Sequence, residues 1–346
     1  LMKKLLVFRL KKPNISYLME KRVLWIVLAI LFLTFMAMVW SVGIGEYPIS
    51  PWNVMKVFLG LGSDQENLIV MKFRMPRLLT GMLVGMGLGV SGAILQSIIR
   101  NPLASPDIIG ITSGASVAAV VFIVLFETAS IFWLPLFAIV GAGIAGLLIY
   151  VLAWKKGVTP VRLVLIGVGV KEILAALTTL ITVASPLYLT PKAKIWLTGS
   201  VYGTSWDTVS MLAPWIACFM LLAFIYGRSV NLLQLGDDVA QGAGSAVELH
   251  RLILLSFSVA LAGAAVAIGG AISFVGLLAP HIAKKVVGPV FGALLPASAL
   301  LGALIVLVSD LVARTVFAPL DLPVGIFTSL IGAPFFIFLL VKNRNK

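Results

Sequence analysis

The sequence is poor in charge, in cysteine and in histidine. Only 11% of its 346 residues are Asp, Glu, Lys or Arg, where a soluble domain carries roughly 25%. A chain with so little charge has no means of covering a water-facing surface, so most of it faces lipid or other apolar protein. The single Cys218 lies inside an apolar run, which excludes an intrachain disulfide and a thiolate metal site. His250 and His281 are far apart and lack metal-ligand spacing, so neither a metal nor another cofactor is expected. No GxxxxGK[ST] phosphate loop occurs, so if ATP drives this protein another subunit binds it. Acidic residues number 13 against 26 Lys and Arg. The excess cations flank apolar runs and form no basic stripe with interleaved aromatics, which argues against a nucleic-acid partner.

What the sequence has is apolar length. A helix needs about 20 apolar residues to cross a bilayer, and ten segments qualify as spans: 23–42, 76–98, 108–126, 131–154, 160–185, 208–226, 252–272, 274–287, 291–313 and 324–341. The eighth is short and interrupted by Pro280. Residues 43–74 read as a polar stretch with a short amphipathic segment, and 186–206 as a polar loop with room for a short helix. Residues 1–22 read as a basic tail. No small-residue cleavage site follows the first apolar run, so that run reads as a first span and not as a removed signal. The chain divides into this tail and one transmembrane domain, 23–346.

Cytoplasmic loops are enriched in Lys and Arg. With ten spans, Lys56, Lys72, Arg74, Arg77, Lys192, Lys194 and Arg314 fall on one side, Lys171 falls inside a span, and all the other cations fall on the side of the two termini. This predicts a multi-pass cell-membrane protein with both termini in the cytoplasm. GVSGAILQSIIRNPLA near Gly89 resembles AIGGAISFVGLLAPHIA near Ala267. Five spans separate them, so the halves are inverted in the membrane, a pattern with broken helices that marks transporters. Similar composition alone is the competing explanation. Gly81, Gly85, Gly87, Gly89 and Gly92 crowd the second span, as close helix packing requires.

Residues 228–251, RSVNLLQLGDDVAQGAGSAVELHR, with Asp237, Asp238 and Glu248, form an interval past the tail that is too polar for lipid. The orientation places it in the cytoplasm. A solvated loop and a contact surface are both compatible with its composition.

From Met75 on, PRLLTGMLVGMGLGVSGAILQSIIRNPLASPDIIGITSGAS resembles the permease subunits of ABC importers for iron–siderophore complexes, haem and vitamin B12. In the second half GGAISFVGLLAPHIAKKVVG, LLPASALLGALIVLVSDLVAR and LPVGIFTSLIGAPFFIFLL follow the same pattern in order and spacing. The resemblance covers about residues 74–341. It implies an all-α membrane fold of ten helices with an inverted five-helix repeat, like the vitamin B12 importer permease. It also implies a second permease subunit, two ATPase subunits docking from the cytoplasm, and an extracytoplasmic binding protein that delivers the ligand. Departures occur at Ala243, Gly244 and Ser245, at Lys284, at Asp321 and at the Lys171–Glu172 pair.

Carried onto this sequence, the resemblance gives four sets of site residues. Arg74, Arg77 and Arg314 face acidic groups of the binding protein, with snorkelling at the lipid interface as the alternative. Leu235, Gly236, Asp237, Asp238, Ala240 and Gly244, within the loop 229–250, couple to the ATPase. Asn101, Leu103 and Thr159 form the cytoplasmic gate, unless the RNPLASP turn is purely structural. Lys171 lies about 18 Å along its helix from Thr159 and faces the translocation path. Alternatively it pairs with a carboxylate on another helix, or Glu172 faces the path instead. Adjacent helical residues do not face each other, so Lys171 and Glu172 are expected in separate environments. The expected function is iron–siderophore transport without catalysis by this chain, with haem or cobalamin as alternative cargoes. An ion-coupled transporter requires acidic residues inside spans, for which only Glu172 and Asp310 are candidates. A membrane enzyme requires a carboxylate or histidine cluster, which the sequence lacks.

Overall fold

The structure is a computed structural model that describes residues 5–10, 15–45, 47–155 and 157–343. Leu5–Leu10 (β1) and Ile15–Glu20 (β2) pair antiparallel, Leu5 opposite Glu20. The basic tail thus contains a hairpin where the sequence reading has no element; Val7, Phe8, Ile15 and Tyr17 supply strand propensity. Then follow α1 (Lys21–Gly43), α2 (Pro51–Phe58), α3 (Asp64–Asn67), a π-helical segment (Leu68–Arg74), α4 (Met75–Ile99), α5 (Pro106–Ile109) and α6 (Ile111–Leu125). A 3-10 turn (Ile131–Trp133) leads to α7 (Leu134–Ala153), α8 (Pro160–Ala184), α9 (Thr190–Thr198) and α10 (Trp206–Ile225). The remainder is α11 (Gly227–Gln234), α12 (Asp237–Gly242), α13 (Val247–Gly269), α14 (Val275–Val287), α15 (Phe291–Thr315) and α16 (Val324–Asn343).

Among the described residues seven helices are long and apolar enough to cross a membrane. The other three expected spans fall on α6, α14 and α16, of which α6 and α14 are short at 15 and 13 residues. The third expected span is split, because Gly110 takes φ 96° between α5 and α6.

The second expected span begins early, since one helical run extends from Asp64 to Ile99. Ser63 starts it with a capping box: its hydroxyl accepts from the Glu66 N–H and Glu66 accepts from the Ser63 N–H. Pro76 has no N–H and would break an α register there. The π register Leu68–Arg74 absorbs this: Met75 N–H bonds the Val70 carbonyl, and the Met71 carbonyl, whose π partner would be Pro76, accepts instead from the Trp206 indole at 2.7 Å.

α4 is the axis of the bundle, buried along nearly its whole length by α15, α13, α14 and α10. Its glycines permit backbone contact. A Cβ at Gly85 would lie 2.3 Å from the Gly302 carbonyl oxygen on α15, and one at Gly92 would lie 1.7 Å from that of Gly276 on α14. Small residues at such crossings replace side-chain packing by backbone packing, as apolar solvent demands. The two segments of similar sequence therefore meet: Gly92 touches Gly276, and Gln96 Nε2 donates to the Leu277 carbonyl at 3.2 Å. Each contains a break at a left-handed non-glycine residue, Arg100 (φ 57°) and Phe274 (φ 66°). The Phe274 N–H, at the start of α14, is satisfied by Asp107 Oδ2 at 3.2 Å.

Candidate functional site: two charged clusters at opposite ends of the bundle

α4 reaches a different charged cluster at each end. At its C-terminal end lie α11 and α12, which fill the polar interval. Gly236 (φ 114°) separates them and caps α12, and Asp237 and Asp238 occupy the first turn, where the helix dipole favours negative charge. Ala240 is fully buried, whereas Leu235 is 65% and Val239 53% exposed. The element is thus anchored on one side and offers apolar side chains on the other. Gly244 has φ 80°, and a Cβ there would meet nothing within 4 Å.

Asp237 does more than sit at a helix end. Its carboxylate accepts from Arg251 Nη2 at 2.8 and 2.9 Å and lies 3.4 Å from Arg100 Nη2. Arg251 also donates to Glu248 Oε1 at 3.1 Å and to the Val158 carbonyl, and Glu248 Oε2 accepts from the Val158 N–H at 3.0 Å.

The expected gate residues flank this cluster. Asn101 Oδ1 accepts from the Leu103 N–H at 2.9 Å and closes the turn after Arg100. Leu103 is half-buried; Thr159 is exposed and caps α8 without a side-chain bond. No hydrogen bond among the described residues joins Asn101 or Leu103 to Thr159. Each instead neighbours a residue held at Asp237: Arg100 directly, and Val158 through Arg251. Lys171 lies on α8, which buries only Leu163, Gly167, Val170 and Thr178. The expectation of separate environments for Lys171 and Glu172 is corrected: Lys171 Nζ lies 3.5 Å from Glu172 Oε1. Both side chains are long and open, at 39% and 68% exposure, so they bend together despite their directions at the backbone.

At the N-terminal end of α4 the three arginines do assemble, around a cleft of about 440 Å³ that Tyr47 and Tyr202 also line. Their guanidiniums point into the chain. Arg77 grips buried Asp310 (3.0 and 2.8 Å) and Asp321 (2.5 and 2.8 Å), with its cation 5.6 Å from the Tyr202 ring centre. Arg74 donates to the carbonyls of Val42 (2.6 Å), Gly43 (3.3 Å) and Tyr47 (2.5 Å). Arg314 donates to the Ile44 carbonyl and to the Ser41 carbonyl and hydroxyl, and its Nε lies 3.7 Å from Asp310. A free fork for an outside carboxylate is therefore not how these residues stand: a half-buried cation takes the nearest acceptors, and here those are carbonyls and two aspartates of the same chain. Asp310 is likewise no open ion site, because two arginines enclose it.

The FecCD transport family matches residues 31–342. The chain belongs to that family. Among FecCD-type relatives it is 48% identical over 333 residues to the probable siderophore transport system permease protein YfhA of Bacillus subtilis, covering 94% of this chain and 97% of the relative. It is 51% identical over 316 residues to the achromobactin transport system permease protein CbrC of Dickeya dadantii, covering 91% and 90%. Its fold matches a solved metal-chelate type ABC transporter in an inward-facing conformation, with TM-score 0.82 and 30% identity over 92% of this chain and 99% of that one. In this FecCD chain the residues missed by sequence reasoning are Arg100, Glu248, Arg251 and Asp321. The i,i+3 spacing of Glu248 and Arg251 was the available signal.

Proposed function

We propose that this chain is the permease of an ATP-binding-cassette importer that passes a ferric siderophore complex across the membrane, with ATP hydrolysed by a separate subunit. The near full-length 48% identity to a siderophore permease carries the reading. Relatives named for achromobactin, iron(3+)-hydroxamate and Fe(3+)-citrate support an iron chelate as the cargo class. In this reading two permease chains face each other, two ATPases dock on α11 and α12, and a binding protein delivers from the arginine-cluster end. The end with α12 is cytoplasmic, since Arg100, Lys155, Arg162, Arg228, Lys284 and Lys285 lie in the helix ends and connections there. The arginines at the opposite end do not weigh against this, because Asp310 and Asp321 offset them. α1 enters the arginine cluster by its C-terminal end and α16 leaves it by its N-terminal end, which supports the reading that Lys21 and Asn343 share the cytoplasmic side. Purification through this chain from its host should bring down an ATPase in equal amount; recovery of the chain with no ATPase under mild detergent contradicts the assignment.

Coupling through α12 and the turn after it gives a direct expectation. Any side chain at Gly244 is strained by about 1–2 kcal/mol in the left-handed conformation, yet it clashes with nothing in this chain. Gly244→Val should leave insertion and assembly intact and lower uptake about tenfold relative to ATP hydrolysis, a ratio in the range of ordinary coupling energies. Uptake and hydrolysis measured on one preparation decide it; an unchanged ratio removes this turn from the coupling surface.

The path runs along the open face of α8, with Lys171 near mid-membrane. A cation there favours an anionic ferric complex, and Glu172 at 3.5 Å weakens that preference. Lys171→Met is expected to lower uptake of an anionic complex more than that of a neutral one. Equal losses for the two ligands would assign Lys171 to structure.

A further inference from the structure

Three pieces of chain meet at Arg251: α12 and the start of α13, both from the polar interval, and the connection before α8. Its side chain is 2% exposed, a burial that a guanidinium tolerates only with its charge matched. Asp237 of α12 supplies a two-oxygen acceptor at 2.8 and 2.9 Å, Glu248 a second carboxylate at 3.1 Å. The third partner is backbone. The Val158 carbonyl accepts from Arg251 and the Val158 N–H donates to Glu248, so two neighbouring residues on the first turns of α13 hold both polar groups of one residue in the connection before α8. Gly157 permits the approach, since a Cβ there would lie 3.0 Å from Glu248 Oε1. Arg162, one turn into α8, ties the same connection back to the carbonyls of Ala153 and Gly157 at 3.1 and 3.3 Å.

The link from Asp237 to the other connection is of a different strength. Arg100 approaches the carboxylate at 3.4 Å through one nitrogen, with both side chains about a third exposed. An exposed pair of that length holds little against solvent, whereas Arg251, itself buried, brings Nη2 to both Asp237 oxygens at 2.8 and 2.9 Å while Nη1 holds Glu248 and the Val158 carbonyl, so its guanidinium spans all three partners at once. Under a displacement of α12 the Arg100 contact gives way first.

We propose that Arg251 is the positioning residue that makes α12, the start of α13 and the 154–159 connection move as one body, while the 100–105 turn slips against that body at the Arg100–Asp237 contact. The inference rests on the importer reading above and adds to it the route by which ATPase motion reaches one side of the gate and not the other.

The test uses the assembled transporter in lipid nanodiscs, with spin labels at Asn101→Cys and Thr159→Cys in a Cys218→Ser background. In the otherwise native chain the distance between labels should shift between nucleotide-free and ATP-bound states. In Arg251→Lys, which keeps the charge and loses the fork, the shift should vanish. ATP hydrolysis should stay within about twofold, and uptake by the unlabelled variant should fall about tenfold or more. Arg100→Gln should keep the shift, since the strong links remain. An assembled Arg251→Lys transporter with a native nucleotide-dependent shift overturns the proposal. Should Arg251→Lys fail to assemble, Glu248→Gln is judged by the same criterion, because it loosens the Val158 grip while Asp237 still balances Arg251. A native complex without ATP-dependent uptake overturns the importer reading itself; a native complex that transports with no shift between labels overturns only the route proposed here.

Discussion

Arg77→Met is expected to destabilise the chain by about 3–5 kcal/mol, the range found when one partner of a buried ion pair is removed. Arg77 joins α4, α15 and the connection before α16 at one point, through Asp310 and Asp321. Asp310 has 2% side-chain exposure. Without Arg77 its remaining cation is Arg314 Nε at 3.7 Å, beyond hydrogen-bonding distance, and that arginine's other nitrogens are engaged by Ser41 and Ile44. A carboxylate is thus left buried with poor compensation. Thermal unfolding of the purified chain in detergent, followed by fluorescence-detected size exclusion, should show a much lower midpoint. Asp321→Asn, at a 29% exposed side chain, should show a smaller loss. If Arg77→Met unfolds normally and loses only affinity for the binding protein, Arg77 is a docking residue and its pairing with Asp310 and Asp321 does not hold the helices together.

Gly92→Ala should be nearly as severe, although it adds one methyl group. The Cβ would stand 1.7 Å from the carbonyl oxygen of Gly276 and 2.6 Å from its carbon. Neither atom is the end of a flexible side chain, so α4 and α14 must separate. Overpacking typically costs about 1–3 kcal/mol and occasionally more. Here the widened gap also disturbs the Gln96 bond to Leu277 and the start of α14 at Asp107. Gly143→Ala on α7 is the control: its Cβ would meet nothing within 4 Å, and helix propensity favours alanine there by about 1 kcal/mol. Yield of monodisperse protein should collapse for the first variant and hold or rise for the second. Equal yields would mean that the α4–α14 approach is not required.

Helix boundaries were legible where proline, glycine or charge punctuates an apolar run. α8 begins at Pro160, as expected, and ends within one residue of the expected place, because proline at the first helical position and a polar Ser185 mark both ends. α15 and α16 begin where expected for similar reasons. The start of the second span was not legible. Pro76 and the cations Lys72 and Arg74 argue for a boundary, and only the π register with the Trp206 indole lets the helix pass through them. That indole is 135 residues distant in sequence, beyond the reach of any local pattern.

The sites divide in the same way. The start of α12 is marked in the sequence, since a glycine at 236 followed by two aspartates is a local helix-start pattern. Arg251 ends a polar interval whose composition suits a solvated loop as well as a contact surface, yet its side chain is almost wholly buried. The three arginines grouped as expected, but their acceptors lie in the same chain: Asp310 and Asp321 for Arg77, and for Arg74 and Arg314 mainly carbonyls, which a sequence does not mark as partners. Lys171 and Glu172 were judged by backbone direction alone, and two long unconfined side chains overcame it. Charge pattern thus foretold where polar groups gather, and tertiary packing decided whether they face outward or inward.

Reconstitution tests the central claim most directly. This chain, with the ATPase that copurifies with it, the binding protein and any second permease chain, is placed in proteoliposomes and offered radiolabelled ferric siderophore from the arginine-cluster side. The account predicts uptake that requires ATP on the α12 side, requires the binding protein, and ceases when the ATPase is inactivated. Uptake that persists without ATP, driven by a proton or sodium gradient, would contradict it.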